Sequence, residues 1–167
     1  MMKTKLKIHK WPDKILKKKS KEIENPDQVI ADILDQMYVL MKATDGIGLA
    51  ANQVGLALPL IVVEVQGKIY KLINPKIIKR EGFVAFREGC LSFPGIELEI
   101  KRNNKICVEA LDQKGKPVCF EPEGISAVVF QHEIDHINGV TFIDRVSLWK
   151  RLKITPQLNR IKNGKVK

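Results

Sequence analysis

The hexapeptide QHEIDH at positions 131–136 places two histidines four residues apart, with a glutamate directly after the first. Apolar residues precede it at helical spacing: Ile125, Val128 and Val129. Side chains at i and i+4 project from the same face of a helix, so His132 and His136 continue the stripe that faces the core. Burying two imidazoles and a carboxylate without partners costs several kcal/mol. The hexapeptide therefore predicts a helix whose buried face holds one metal ion between its histidines.

Glu133 is offset around this helix, so we expect its carboxylate to reach a water on the metal rather than the metal itself. A catalytic metal normally takes three protein ligands and keeps one position for water, which requires a third ligand elsewhere. The metalloprotease pattern HExxHxxGxxH does not supply it, because Phe142 stands at its last position. Asp144 is the one acid after the hexapeptide, and it could equally cap the next segment or pair with Arg145.

Cys90 is the upstream candidate for the third ligand. It lies in FREGCLSFPG (86–95), which we predict to be a short irregular stretch able to carry a thiolate to the helix. We therefore expect Cys90 to complete the ligand set with the two histidines. If Asp144 were the third ligand instead, the protein would be a metallopeptidase of another class. Three cysteines at wide spacing do not suggest a disulfide framework, and we interpret Cys107 and Cys119, in predicted strands, as core or filler.

The first predicted helix lies in NPDQVIADILDQMYVLMKATDG (25–46), with Asn25 as its cap and Pro26 at its first position. Its apolar residues form a stripe at helical spacing: Ile30, Ile33, Leu34, Met37 and Met41. Gly46 and Gly48 end it and open a loop, GIGLAANQVG (46–55), in which we expect backbone groups to bind an extended chain and Gln53 to donate to an oxyanion.

Strands follow the loop, and turns are predicted at Gln66-Gly67 and at Asn103-Asn104. The predicted strands cover residues 60–65, 68–74, 96–102, 105–112 and 117–121. The second helix starts at Pro122 and stops at Gly139. This order predicts an α+β fold in which antiparallel β-sheets pack around a central C-terminal helix carrying the HExxH motif, with another helix near the N-terminus.

The chain has 167 residues, of which 44% are hydrophobic and 29% charged, so we expect one soluble domain over residues 1–167. Much of the net charge of +10 lies at the two ends, and we expect a basic, mobile tail at about 150–167. A solvated lysine-rich surface explains such charge, and contact with the ribosome is the sharper interpretation. No apolar run predicts a membrane span, and no motif indicates specific DNA binding. We expect a cytoplasmic protein, or an organellar one if a transit peptide has been removed.

Three motifs resemble those of peptide deformylases, in the same order: GIGLAANQ (46–53), EGCLS (88–92) and QHEIDH (131–136). The resemblance extends from about Ile8 to FIDR at 142–145. It implies a metal-dependent bacterial hydrolase that removes the N-formyl group from the formylmethionine of nascent polypeptides and releases formate. In this family the metal is natively Fe(II), often replaced by Zn(II), Ni(II) or Co(II).

The same resemblance implies roles for individual residues. The metal ligands would be Cys90, His132 and His136. Glu133 would be the general base and acid, and Gln53 with the main-chain N–H of Leu91 would form the oxyanion hole. Main-chain groups of three residues would bind the substrate backbone: Ile47, Gly48 and Gly89.

An apolar pocket for the methionine side chain is expected next to the metal, and its candidate walls are Ile47, Val128 and Val129. Ordinary core packing is the alternative for the two valines. A non-catalytic binding module that keeps the fold is the remaining functional alternative. The presence of Glu133 and Gln53 disfavours it, because such a module needs neither.

Overall fold

The computed structural model describes residues 6–165, which form four α-helices and seven strands. The helices are α1 (Gln28–Ala43), α2 (Ile125–Ile137), α3 (Leu148–Lys153) and α4 (Thr155–Lys162). The strands are β1 (Gly48–Ala50), β2 (Leu60–Val65), β3 (Lys68–Glu81), β4 (Val84–Gly89), β5 (Glu97–Arg102), β6 (Lys105–Leu111) and β7 (Pro117–Phe120). Short 3-10 turns are present at Lys14–Lys17, Ala51–Val54 and Phe142–Arg145.

Two antiparallel sheets surround α2. Five strands form the larger sheet in the order β1-β2-β3-β6-β7, and β4 pairs with β5 in a separate two-stranded sheet. Phe130 and Ile134 of α2 pack against the large sheet, in one core cluster with Val63 and Val108. A second cluster joins α1 to β2 and β3, and a third joins the small sheet to the C-terminal helices. The predicted α+β architecture around the HExxH helix is confirmed.

The central helix α2 is buried on every face from residue 126 to residue 137. It begins at Ile125 rather than at Pro122, because Gly124 takes a positive φ of 59° that no helix continues. Its predicted end at Gly139 is confirmed, with a φ of 73° directly after the C-cap. A Cβ on Gly139 would lie 2.5 Å from the carbonyl oxygen of Lys17, so only glycine fits this close approach.

The predicted start of α1 was wrong. Asp27 caps it by accepting a hydrogen bond from the main-chain N–H of Ile30, so Asn25 and Pro26 both precede the helix. The stripe of α1 is confirmed, because Leu34, Met37 and Met41 are fully buried and Ile30 and Ile33 pack beside them. The sequence therefore predicted the buried face of α1 correctly and placed its N-cap two residues too early.

Two predicted loops contain strands. Residues 48–50 of GIGLAANQVG pair with β2 as β1, and the first half of FREGCLSFPG belongs to β4, so Cys90 directly follows a strand. Gln66-Gly67 closes the β2–β3 hairpin as predicted, with φ of 51° and 74°. Asn103-Asn104 closes no hairpin, because β5 pairs with β4 while β6 pairs with β3 and β7. The side chain of Gln131 instead bonds both main-chain groups of Asn103 as the chain crosses between sheets.

The C-terminal segment folds back as α3 and α4, and Leu158 and Ile161 are buried in the core cluster of the small sheet. Trp149 is 77% exposed on α3. Within residues 6–165 no helix combines the length and apolar character needed to cross a membrane. The single-domain organisation and the mobility of residues 150–167 stay predictions.

Asp144, the alternative third ligand, is engaged away from the histidines. Its carboxylate accepts hydrogen bonds from the N–H and hydroxyl of Thr141, both at 2.8 Å, and pairs with Lys17. These bonds close the turn Phe142–Arg145 that contains Asp144, so the predicted cap of the next segment was wrong: Ser147 caps α3. Arg145 pairs with Asp135 instead. Burial raises the pKa of Asp144, but the bonds from Lys17 and Thr141 outweigh it and hold the pKa below its ordinary value.

We expect Asp144→Ala to lower the free energy of unfolding by about 1 kcal/mol at pH 7, because it removes the bonds that close this turn and an ion pair. A carboxyl whose pKa is depressed in the folded state stabilises above its unfolded pKa, and this stabilisation is lost as the pH falls through the folded pKa. The difference from the parent should therefore shrink below about pH 4. Urea unfolding at several pH values measures it, with the exposed Glu24→Ala as control. A pH-independent difference would contradict the assigned role.

Candidate metal centre and active site

Three donor atoms from two elements meet at one point. Cys90 directly follows β4, and His132 and His136 project from one face of α2. The Cys90 Sγ lies 3.2 Å from His136 Nε2, which lies 3.2 Å from His132 Nε2, and all three atoms lie within 4.8 Å of one another. Among residues 6–165, these three side chains form a cluster of donors that could hold a metal ion.

The donor set suits a small divalent ion. Ligand atoms bound at 2.0–2.3 Å in a tetrahedron lie about 3.3–3.6 Å apart, close to the separations observed here. Thiolate and imidazole donors favour a transition metal over calcium or magnesium, which prefer oxygen. His132 Nδ1 lies 2.8 Å from a carboxylate oxygen of Glu88, which leaves its Nε2 to face the other donors. The residues therefore fit a bound transition-metal ion.

Behind His132 lies a buried ionic network that the sequence did not reveal. Arg102 donates to both oxygens of Glu88, at 2.7 and 2.9 Å, and a third bond connects Arg102 to Asp135. Arg145 reaches Asp135 from the surface, with its Nε at 2.9 Å. Burial raises the pKa of Glu88, but Arg102 and His132 outweigh it and hold the carboxyl below its ordinary pKa. Glu88 is thus a charged acceptor that fixes the ring of His132.

A weak signal for this network was present in the sequence. Leu98, Ile100 and Arg102 alternate along β5 with exposed residues, so the arginine occupies a core-facing position. A buried guanidinium needs a carboxylate partner. Which carboxylate supplies it follows only from the pairing of β5 with β4: Glu88 is the cross-strand partner of Leu98, on the same face as Arg102, and the arginine side chain bonds it there.

Glu133 is 4% exposed and lies beside the cluster without belonging to it. Burial raises the pKa of its carboxyl to about 7, with His132 acting in the opposite direction. Its Oε2 is buried and has no hydrogen-bond partner among residues 6–165. A Cβ on Gly48 would collide with this carboxylate, so the glycine of β1 permits the close approach. The group is placed to exchange a proton with a molecule in the site.

Gln53 faces the cluster from the 3-10 turn that follows β1. Its Oε1 accepts from the main-chain N–H of Ala50 at 2.8 Å, which turns its Nε2 toward the site. The Nε2 lies 3.4 Å from the Cys90 Sγ and 3.3 Å from the Ser92 hydroxyl. Asn52 beside it donates to the main-chain carbonyl of His136, a contact that ties this turn to α2 and that sequence reasoning missed.

A cavity of about 540 Å³ opens beside these groups. It is lined by Cys90, His132 and Glu133, and by the predicted oxyanion-hole residues Gln53 and Leu91. Every residue predicted to bind substrate also lines it: Ile47, Gly48, Gly89, Val128 and Val129. Phe86 also lines it, and no sequence signal distinguished this residue. Val128 and Val129 are nearly buried, whereas Ile47 is 51% exposed at the mouth.

Cys107 and Cys119 lie elsewhere, on neighbouring strands of the large sheet. Cys107 is buried, in agreement with its interpretation as core. Cys119 is exposed, so of the two interpretations, core or filler, it is not core. Neither lines the cavity.

The chain matches a family model described as polypeptide deformylase over residues 5–152. A peptide deformylase of Aquifex aeolicus is 41% identical over 147 residues, which are 84% of this chain and 87% of that protein. One of Helicobacter acinonychis is 42% identical over 171 aligned positions, covering 97% of this chain and 98% of the relative.

Solved structures agree with these relatives. The crystal structure of a peptide deformylase from Legionella pneumophila superimposes with a TM-score of 0.90 at 37% identity, covering 96% of each chain. Another, from Thermus thermophilus, gives a TM-score of 0.88 at 37% identity and covers 94% of this chain and 97% of that one. Sequence, fold and the Cys-His-His cluster agree, and the chain therefore belongs to the polypeptide deformylase family of metal-dependent hydrolases.

Proposed function

We propose that this protein removes the N-formyl group from the formylmethionine at the start of nascent polypeptides, releasing formate and a free amino terminus. Membership of the polypeptide deformylase family supports this activity. The single observation that carries it is the meeting of Cys90, His132 and His136 with the buried acid Glu133 at one end of a cavity. Such a centre serves a hydrolase, because it joins a Lewis acid to a proton acceptor.

We propose Fe(II) as the native ion, with Zn(II), Ni(II) or Co(II) able to replace it. The ion would be held by the thiolate of Cys90 and the Nε2 atoms of His132 and His136. When bound, it supplies Lewis acidity, which can lower the pKa of a water to about 7 and polarise a carbonyl group. Glu88 keeps the His132 ring oriented for that task.

Glu133 takes the proton of the attacking water and returns it to the amine that leaves, since an amide nitrogen does not leave as an anion. Its buried carboxylate has an Oε2 without a hydrogen-bond partner among residues 6–165, so it is free to exchange a proton with a molecule in the cavity. Gln53 Nε2 and the main-chain N–H of Leu91 donate to the oxygen that becomes negative. Loss of one such donor typically raises the barrier by about 3 kcal/mol.

The cavity suits an extended peptide that begins with a formylated methionine. Ile47, Gly48 and Gly89 lie at its edges and would offer main-chain groups to the peptide, while Val128 and Val129 with Ile47 would contact the methionine side chain. A formyl carbon carries only hydrogen where an acetyl carbon carries a methyl group. A close wall near the metal would therefore exclude acetylated ends by overlap.

We also propose that the protein works in the bacterial cytoplasm and contacts the ribosome through its basic surface. The two C-terminal helices carry a set of basic residues: Lys150, Arg151, Lys153, Arg160 and Lys162. Clustered positive charge attracts polyanions such as ribosomal RNA, with an affinity that falls as salt rises.

The proposed activity is tested by formate release from formyl-Met-Ala-Ser, with acetyl-Met-Ala-Ser as the matched substrate. Enzyme loaded with Fe(II) under anaerobic conditions should release formate and no acetate, and the zinc-loaded enzyme should show the same selectivity. Cleavage of an internal peptide bond with no formate release would instead indicate a metallopeptidase of another class.

Glu133→Gln should retain the metal, because Glu133 is outside the ligand cluster, and should reduce kcat by about 10²–10⁴-fold through loss of proton transfer. Elemental analysis and formate release measure the two quantities on the same preparation. Unchanged kcat would remove Glu133 from the mechanism, and loss of metal would make it a ligand.

Glu88→Gln should weaken metal binding by about 10–100-fold, because the amide no longer holds His132 with a full negative charge. The matched control is Glu97→Gln in the neighbouring strand, an exposed carboxylate paired with Arg87, which should leave the affinity unchanged. Competition with a chelator measures both variants. Equal affinities in the two variants would contradict the orienting role of Glu88.

A further inference from the structure

We infer that Cys107 and Cys119 are a disulfide-forming pair that closes by exchange with a small-molecule disulfide such as oxidised glutathione. Their sulfur atoms lie 3.4 Å apart on β6 and β7. Both thiols are free, and neither lines the active-site cavity. The family assignment does not require them, so the pair stands apart from the proposed hydrolysis.

The register of β6 with β7 explains this contact. Cys119 is the cross-strand partner of Glu109, two residues beyond Cys107 on the same strand. Alternate residues share one face of a strand, so both thiols lie on the face opposite the one where Val108 packs toward α2. The pair is thus diagonal on the outer face of the large sheet.

A disulfide requires the sulfurs to approach from 3.4 Å to about 2.05 Å. The strand that has to move is β7, which stands at the edge of the sheet and bonds only to β6. An edge strand of four residues can shift by this amount without disturbing a second neighbour. The outer face is therefore preorganised for closure, while Val118 and Phe120 on the other face of β7 pack against the core cluster.

The two thiols differ in access, which sets the order of the exchange. Cys119 is exposed, so its thiolate attacks one sulfur of oxidised glutathione and releases one glutathione thiolate. Cys107 is buried; the hydrogen bond with Cys119, together with burial, raises the pKa of its thiol, so it acts second. Its sulfur then attacks the Cys119 sulfur and releases the second glutathione. Two protein thiols are oxidised, and one glutathione disulfide is reduced to two thiols.

The active-site cysteine serves as an internal comparison. Cys90 lies 3.2 Å from His136 Nε2 in the ligand cluster and has no second cysteine beside it in residues 6–165. The Cys107–Cys119 bond involves no residue of the ligand cluster, so formate release should be equal in the dithiol and disulfide forms.

The test uses zinc-loaded protein incubated with a series of ratios of oxidised to reduced glutathione, then trapped with acid and alkylated. Mass spectrometry should find a loss of two hydrogens and a peptide pair joined through Cys107 and Cys119. Cys107→Ser should stop at a mixed disulfide, with one glutathione on Cys119, because the second thiol is missing. Cys119→Ser should form neither product.

Three results would overturn the inference. In the first, the parent protein keeps both thiols alkylatable at every ratio. In the second, glutathione accumulates on Cys119 in the parent without ring closure, which would mean that β7 does not move. In the third, the bond forms to Cys90 or between two molecules. None of these outcomes bears on the deformylase activity, which the same zinc-loaded preparation reports separately.

Discussion

The burial of α2 is the constraint on which the rest of the structure depends. Buried polar side chains cost free energy unless they find partners, and on this helix Gln131, His132 and Asp135 find them, whereas Glu133 Oε2 and His136 Nδ1 do not among residues 6–165. Gln131 bonds the main chain of Asn103, His132 bonds Glu88, and Asp135 bonds Arg102. Each partner comes from the segment running from the end of β4 to the β5–β6 link. The register of the small sheet therefore places the partners that the polar residues of QHEIDH require.

The buried charges of this arrangement are balanced locally. Glu88 and Asp135 are matched by Arg102 and Arg145, so a helix with several ionisable groups remains compatible with a dry interior. Removing one member of such a pair costs about 3–5 kcal/mol, because the other charge is left buried and alone. Glu133 stands outside these pairs, and burial raises its pKa to about 7. The same network thus fixes the ring of His132 and leaves the Glu133 carboxyl outside every ion pair.

Local patterns were sufficient to predict α1, α2 and most strands, and to select His132 and His136 as candidate ligands, because helical spacing and the HExxH motif act over a few residues. The helices α3 and α4 were not predicted. The prediction that Asn103-Asn104 closes a hairpin was wrong for a long-range reason, since Gln131, almost thirty positions later, takes the main-chain bonds of Asn103. The carboxylate partner of Arg102 could not be predicted either, because the chain has 19 acidic residues and their spacing does not distinguish Glu88. Sequence reasoning identified which groups need partners, and the strand register decided which partners they receive.

The three cysteines have the same side chain but different surroundings, because each occupies a different position in the fold. Cys90 follows a strand that ends beside α2, where its sulfur clusters with the imidazoles of His132 and His136. Cys107 and Cys119 are twelve residues apart in sequence, and a hairpin register alone brings their sulfurs into contact. A shift of that register by one residue would turn Cys119 toward the core and separate the pair. The surroundings of each thiol therefore depend on strand pairing, and they cannot be predicted from the number or the spacing of the cysteines.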